Sequence, residues 1–175
     1  FGGIVGVAPL LAYNAAIFGS PFHIGYAEVQ GFVGMRDGLF GITWPDFGVM
    51  WELLVGDYRG LLPLSPVLVL APFGLAAMLL RPGTRLAAAI VVVAAAAYLW
   101  INAGYVYWKG GNSTGPRFLV PMLPFLGLTL AYAWPRSTWL RLLALLLLAL
   151  SAVLTLVSAS VTMFAPEKIE VPMRD

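Results

Sequence analysis

Apolar residues run along this chain in long, nearly uncharged stretches, and five of them approach the length of a membrane-spanning helix. Such a helix needs about 20 mostly apolar residues, with a range of roughly 17 to 25. A backbone in lipid must satisfy its own hydrogen bonds, and no segment shows the alternating pattern of a membrane β-barrel. We therefore predict an all-α polytopic membrane fold with five spans, at Gly2–Phe18, Leu61–Leu80, Leu86–Ala103, Phe118–Trp134 and Leu142–Ala165.

Prolines interrupt two of these stretches. The second span contains Pro63, Pro66 and Pro72, and the fourth has Pro121 and Pro124 near its start. Proline removes a backbone donor and clashes with the preceding turn of a helix. We therefore predict kinks or helix ends inside these two spans.

A short helix is predicted within the first long connection. Asp46 is a candidate N-cap, and Phe47, Met50, Trp51 and Leu54 follow at the i, i+3, i+4 and i+7 spacing of one helical face. The segment from residue 46 to residue 56 is too short to span a bilayer. We predict that it lies in the membrane interface, with Trp51 and the preceding Trp44 at headgroup depth.

The connections between the spans differ in charge. The loops at residues 81–85 and 135–141 carry four arginines and no acid, whereas every acidic residue lies on the other side of the predicted membrane. Short loops rich in Lys and Arg stay in the cytoplasm. We therefore predict a transmembrane domain over residues 1–165, outer loops at residues 19–60 and 104–117, and an extracytoplasmic polar C-terminal tail at residues 166–175.

Composition supports lipid as the solvent of this surface. Hydrophobic residues make up 61% of the 175 residues and charged residues only 10%, whereas a soluble domain carries about 25% charged residues. The formal net charge of +2 is too small to indicate a nucleic-acid partner. The absence of cysteine excludes disulfides and thiolate metal sites.

Two outer segments carry candidate binding chemistry. Tyr58 and Arg59 precede the second span, and a guanidinium at this depth can bind a phosphate with paired hydrogen bonds. The alternative is that Arg59 is an interfacial anchor, since basic residues are common at the ends of spans.

The second segment is the glycine-rich run at residues 105–117. It combines aromatic rings suited to sugar faces or headgroups with two cations and small polar residues, and its candidate binding residues are Trp108, Lys109, Asn112 and Arg117. The alternative is a tight loop within an aromatic belt.

No cofactor is evident in the sequence. The acidic residues Glu28, Asp37 and Asp57 leave a divalent cation open, although their spacing matches no calcium loop. The lone histidine, His23, is either a general acid–base group or, more commonly, a structural hydrogen-bonding residue.

Several short strings, in this order, resemble the C-terminal half of bacterial membrane glycosyltransferases of the GT-C superfamily, which includes relatives of the dolichyl-phosphate-mannose protein mannosyltransferases. The resemblance covers roughly residues 10–130, and its strongest part is the Gly-Pro-Arg-Phe-Leu-Val-Pro segment that begins at Gly115. The other strings are Tyr13-Asn14, Phe18-Gly19-Ser20-Pro21, Gly25-Tyr26, Gly38-Leu39-Phe40-Gly41, Tyr58-Arg59-Gly60-Leu61, Ser65-Pro66 and Trp108-Lys109-Gly110-Gly111.

This resemblance implies an enzyme of the bacterial plasma membrane that passes a sugar from a polyprenyl-phosphate carrier to an acceptor at the outer face. The chain opens on Phe1 inside an apolar run, so we expect it to be part of a longer protein whose catalytic base lies upstream. Arg59, Lys109 and Arg117 are then candidate contacts for the lipid phosphate, and Tyr58, Trp108 and Asn112 for the sugar or acceptor. The alternatives are a transporter or flippase subunit for a lipid-linked saccharide and a non-catalytic membrane scaffold.

Overall fold

The computed structural model describes residues 2–23, 25, 29–111, 114–135 and 137–161, and α-helices and 3-10 helices joined by turns and loops make up their structure. Within these ranges there is no strand, only isolated bridges at Leu39–Ile42 and Ile42–Tyr105, which confirms the all-α prediction. The α-helices are α1 (Gly2–Phe18), α2 (Phe47–Val55), α3 (Leu61–Leu64), α4 (Ala71–Leu79), α5 (Arg85–Ala103), α6 (Leu123–Ala133) and α7 (Thr138–Val161). Short 3-10 helices lie at Val33–Arg36, Pro66–Leu70, Pro82–Thr84 and Arg117–Met122.

Within the described residues, two helical stretches are long and apolar enough to cross a membrane, Pro82–Ala103 and Thr138–Ser160. The other three predicted spans form shorter apolar helices, Val5–Phe18, Pro66–Leu79 and Arg117–Ala133. The prolines explain two of these cases. The segment that begins at Leu61 is divided into α3, a 3-10 helix and α4, and the segment that begins at Arg117 starts as a 3-10 helix before α6, as predicted for the kinks.

The chain divides into two compact units. The first contains Phe1–Thr43 and Tyr105–Tyr107. In it, the Tyr107 hydroxyl accepts a hydrogen bond from the Gly34 N–H at 3.1 Å and donates to the Gly31 carbonyl oxygen at 3.3 Å. The Val106 N–H donates to the Gly41 carbonyl oxygen at 2.8 Å. The short aromatic run is therefore tied to the loop of residues 31–42.

The second unit contains Trp44–Gly104 and Trp108–Asp175. Its hydrophobic core collects side chains from five elements, and Trp108 packs against it. The core residues are Leu53, Leu61, Leu68, Ala103, Leu119 and Met122. The proline-broken segments thus supply most of this core. In α7, the longest helix, only 11% of the most apolar stretch is buried.

Two contacts stabilise the broken segment at residues 61–79. Gly74 of α4 lies against the backbone of Thr129 in α6, so closely that a β-carbon there would collide with the Thr129 carbonyl; small residues permit such approaches in membrane helix pairs. Ser151 of α7 accepts a hydrogen bond from the Val67 N–H at 3.0 Å. This N–H belongs to the first turn of a 3-10 helix and lacks an intrahelical partner.

The α2 helix begins after the predicted N-cap. The Asp46 carboxylate accepts hydrogen bonds from Gly48 N–H at 2.6 Å and Val49 N–H at 3.3 Å. Leu53 is the buried residue of this helix. Phe47 and Trp51, which belong to the predicted apolar face, are 74% and 69% exposed. Core packing selects the face that carries Leu53, which leaves the aromatic side chains outside.

Loops of opposite character lie at the two ends of α5, a helix about 28 Å long by its 19 residues. We call residues 56–60, 108–111 and 114–117 the loop end, and residues 79–85, 132–135 and 137–141 the arginine end. Arg81 Cζ lies 5.6 Å from the centroid of the Tyr132 ring, so the C-terminal ends of α4 and α6 are neighbours at the arginine end. Arg136 and the predicted tail at residues 166–175 lie outside the described residues.

Candidate functional site

A tight turn between α2 and α3 positions Tyr58 and Arg59. The Glu52 carboxylate accepts a hydrogen bond from the Tyr58 N–H at 3.0 Å, and the Gly60 N–H donates to the Gly56 carbonyl oxygen at 2.9 Å. A β-carbon at Gly60 would collide with the backbone carbonyl oxygen of Gly56, and one at Gly56 would displace the Glu52 carboxylate. The glycines therefore let the chain fold back onto the end of α2, and Glu52 fixes the turn.

Arg59 joins this turn to the glycine-rich loop. It is only 3% exposed, and its Nη2 group donates to the Gly111 carbonyl oxygen at 2.7 Å and to the Tyr58 hydroxyl at 3.3 Å. A hydrogen bond from a charged donor is worth about 1.5–3 kcal/mol. The guanidinium thus connects two segments that are 52 residues apart in the chain.

The glycine-rich loop depends on left-handed backbone conformations. Gly110, Gly111 and Gly115 have φ angles of 70°, 69° and 77°, which cost a residue with a β-carbon about 1–2 kcal/mol. A β-carbon at Gly110 would also lie 3.1 Å from Cγ of Arg117. The loop therefore folds the Arg117 stem back against the segment that Arg59 holds.

Two aromatic rings form a corner beside these cations. The rings of Tyr58 and Trp108 are nearly perpendicular, at 78°, with centroids 6.2 Å apart. The Lys109 ammonium lies 5.7 Å from the Tyr58 centroid and 5.9 Å from the Trp108 centroid, within reach of a cation–π interaction. Edge-to-face packing of this kind presents ring surface of the type that sugar rings contact.

The three cations of the site differ in exposure. Lys109 and Arg117 are exposed, whereas Arg59 is buried and bonded to backbone. Geometry therefore favours Lys109 and Arg117 for direct contact with an anionic ligand and gives Arg59 the task of holding the loop. The alternative, that Arg59 is an interfacial anchor, stays open, because burial within the chain does not fix its depth in a membrane.

The structure brings together five of the six predicted binding residues, Tyr58, Arg59, Trp108, Lys109 and Arg117. The sixth, Asn112, lies outside the described residues. In the first unit, His23 stacks on Phe18 with ring centroids 4.5 Å apart.

Sequence reasoning missed the part played by Glu52. In the sequence it is one of the acids on the outer side, six residues before Tyr58 and four before Gly56. A carboxylate one turn before a helix-ending glycine is a signal for a turn of this kind, because it can accept the backbone N–H groups that follow the helix.

No group of three or more His, Asp or Glu side chains in the described part of the chain could hold a metal ion. Of the three acids considered for a cation, Glu28 lies outside that part. Comparison with models of protein families, with curated proteins and with solved structures found no match to this chain. The functional argument therefore rests on the residues themselves.

Proposed function

We propose that this chain is part of a membrane glycosyltransferase that moves a sugar from a polyprenyl-phosphate carrier to an acceptor at the outer face of the membrane. The observation that carries the proposal is the convergence at the loop end of two exposed cations, Lys109 and Arg117, with the perpendicular rings of Tyr58 and Trp108. A phosphate and an attached sugar need this combination of charge and ring surface.

We further propose that all five apolar segments cross the bilayer, with the loop end outside, in a bacterial plasma membrane. The broken segments are long enough in total. At a rise of 1.5 Å per α-helical residue and about 2 Å per 3-10 residue, the segments at residues 61–79 and 117–133 each extend about 30 Å. This matches the hydrocarbon thickness of a bilayer, about 30 Å.

In this proposal each residue has a defined task. Lys109 and Arg117 hold the phosphate of the donor and stabilise its charge as the sugar leaves. Tyr58 and Trp108 contact the sugar or the acceptor. Arg59 positions the loop through the Gly111 carbonyl, and the catalytic base belongs to a part of the protein upstream of this chain.

The test uses the full-length protein in proteoliposomes and a panel of radiolabelled polyprenyl-phosphate-linked sugars, with consumption of the labelled donor as the readout. We expect Arg117→Ala to lower the rate about 10- to 100-fold, because a charged hydrogen bond worth about 1.5–3 kcal/mol is lost from the phosphate. The amount of folded protein should change little, since the Arg117 side chain is exposed.

A matched control is Arg81→Ala at the arginine end. Both arginines are exposed and lie over an aromatic ring, Arg117 at 4.9 Å from the Phe118 centroid and Arg81 at 5.6 Å from that of Tyr132. The control should keep the rate within about twofold. Wild-type transfer by a well-expressed Arg117→Ala protein would remove Arg117 from the site, and consumption of no donor by the wild type would contradict the enzyme proposal.

A further inference from the structure

We propose that the arginine end is a binding site for the headgroup of an anionic phospholipid. The site consists of the guanidinium groups of Arg81, Arg85 and Arg141, with Trp134 and Trp139 beside them in the chain. It is separate from the loop end, and its occupancy does not depend on the proposed transferase activity.

Two of the arginines are fixed by the same arrangement. Arg85 Nε donates to the Leu79 carbonyl oxygen at 3.0 Å, and Arg141 Nε donates to the Pro135 carbonyl oxygen at 2.9 Å. In each case the side chain folds back six residues across its loop to a carbonyl that follows or ends the preceding helix. Nε carries one of the five N–H donors of a guanidinium, so four remain on the terminal nitrogens of each side chain.

The third arginine connects the two loops. Arg81 lies over the Tyr132 ring, and Tyr132 precedes by three residues the Pro135 carbonyl that receives Arg141. Three residues of fully extended chain span at most about 11 Å. Tyr132, which Arg81 contacts, and Pro135, which Arg141 contacts, therefore lie within about 11 Å of each other. Arg85 bonds to Leu79, which lies two residues before Arg81 in the chain.

Charge and surroundings indicate a lipid headgroup as the ligand. All three arginines are exposed, and residues 79–85 and 132–141 contain no Asp or Glu. Trp134 and Trp139 are 49% and 81% exposed, and exposed tryptophan beside apolar helices is typical of headgroup depth. A planar guanidinium can form paired hydrogen bonds with a phosphate. A zwitterionic headgroup also carries a phosphate but has no net negative charge, so a group of arginines favours the anionic headgroup.

The experiment measures binding of dioleoylphosphatidylglycerol and dioleoylphosphatidylcholine to the delipidated full-length protein in detergent by native mass spectrometry. A basic residue near an anionic membrane surface contributes about 1 kcal/mol, or roughly fivefold in affinity. We expect the wild type to bind the anionic lipid at least about tenfold more tightly. The triple variant Arg81→Gln, Arg85→Gln, Arg141→Gln should bind the two lipids within about twofold of each other.

The control variant carries lysine at the same three positions. It retains the charge and should keep most of the preference for phosphatidylglycerol, while Arg36→Gln, which removes an exposed charge of the first unit, should keep all of it. Equal binding of both lipids by the wild type, or an unchanged preference in the glutamine variant, would overturn the proposal.

Two further measurements need only the wild type, in case the glutamine variant does not fold. Raising the volatile salt ammonium acetate to about 1 M shortens the Debye length to about 3 Å and should reduce the preference to within about twofold. A preference that salt leaves unchanged would contradict the proposal. Soluble glycerol phosphate should not displace the lipid at comparable concentrations. Displacement at such concentrations would make the ligand a free phosphate ester and overturn the assignment to lipid.

Discussion

Arg59 and Arg81 place the same guanidinium group beside a tyrosine at opposite ends of α5, yet their surroundings differ in every other respect. Arg59 is 3% exposed and bonded to the Gly111 carbonyl. Arg81 is exposed, and its guanidinium lies over the face of the Tyr132 ring, 5.6 Å from the centroid. Burial and a backbone acceptor, rather than residue type, therefore decide what an arginine contributes to the fold.

The difference extends to the loops that carry these residues. The loop end requires three glycines with positive φ angles and lies over the hydrophobic core. At the arginine end, Gly83 has open space around it, and side-chain hydrogen bonds from Arg85 and Thr84 to carbonyl oxygens at the C-terminal end of α4 fix the loop. We therefore expect substitutions at the loop end to cost more stability than equivalent substitutions at the arginine end.

The largest effect is expected for Arg59→Ala. Removing the buried guanidinium breaks the bond to Gly111 and leaves a gap above the core, so the free energy of unfolding should fall by about 2–3 kcal/mol. Denaturant titration of the protein in detergent micelles measures this change. Arg59→Ala should also slow donor consumption, because the loop that carries Lys109 and Arg117 loses its attachment.

Arg59→Lys separates charge from geometry in this position. Lysine keeps the positive charge but cannot present two donors in a planar fork, so we expect it to recover less than half of the lost stability. Full recovery by lysine would show that charge alone matters at this site. In that case the arginines of the two ends would differ only in burial, and not in the hydrogen-bond geometry of the guanidinium.

A smaller effect is expected for Gly110→Ala, with Gly83→Ala as its control at the arginine end. Alanine at Gly110 must adopt a φ of about 70° and would press on the Arg117 stem, which costs about 1–2 kcal/mol. Gly83 has neither a positive φ nor an atom within 4 Å of an added β-carbon. Its substitution should change the unfolding free energy by less than about 0.5 kcal/mol. An equal loss of stability in both variants would mean that the two ends do not differ in the cost of a substitution.

Much of this architecture follows from the order of residue types. Proline positions predict where the second and fourth apolar stretches break, and Asp46 predicts the start of α2. The pairing of Tyr58 with Trp108 and of Arg59 with Gly111 is not predictable in this way, because it joins segments about 50 residues apart. The predicted placement of both segments at the outer side of a membrane limits which residues can pair. It does not specify which atoms meet.

The buried face of α2 shows why periodicity is insufficient. Their spacing places Phe47 and Trp51 on one helical face, but it does not tell that Leu53 occupies the core. A helix whose residues are apolar almost all round has no unique face until its neighbours are known. The same reason leaves α7 without a predictable inward side, apart from Ser151, whose hydroxyl meets an N–H that a broken helix leaves unpaired.

The smallest effect is expected for the Arg81–Tyr132 contact. A double-mutant cycle with Arg81→Gln and Tyr132→Leu should give a coupling energy of about 0.5–1 kcal/mol, the range for an exposed cation–π pair. High salt should reduce this coupling, because the charge is exposed to solvent. A coupling above about 2 kcal/mol that persists in salt would mean that Arg81 is desolvated by bound lipid or a neighbouring helix. The arginine end would then resemble the loop end, and the difference in cost between them would be a property of the isolated chain rather than of the protein in its bilayer.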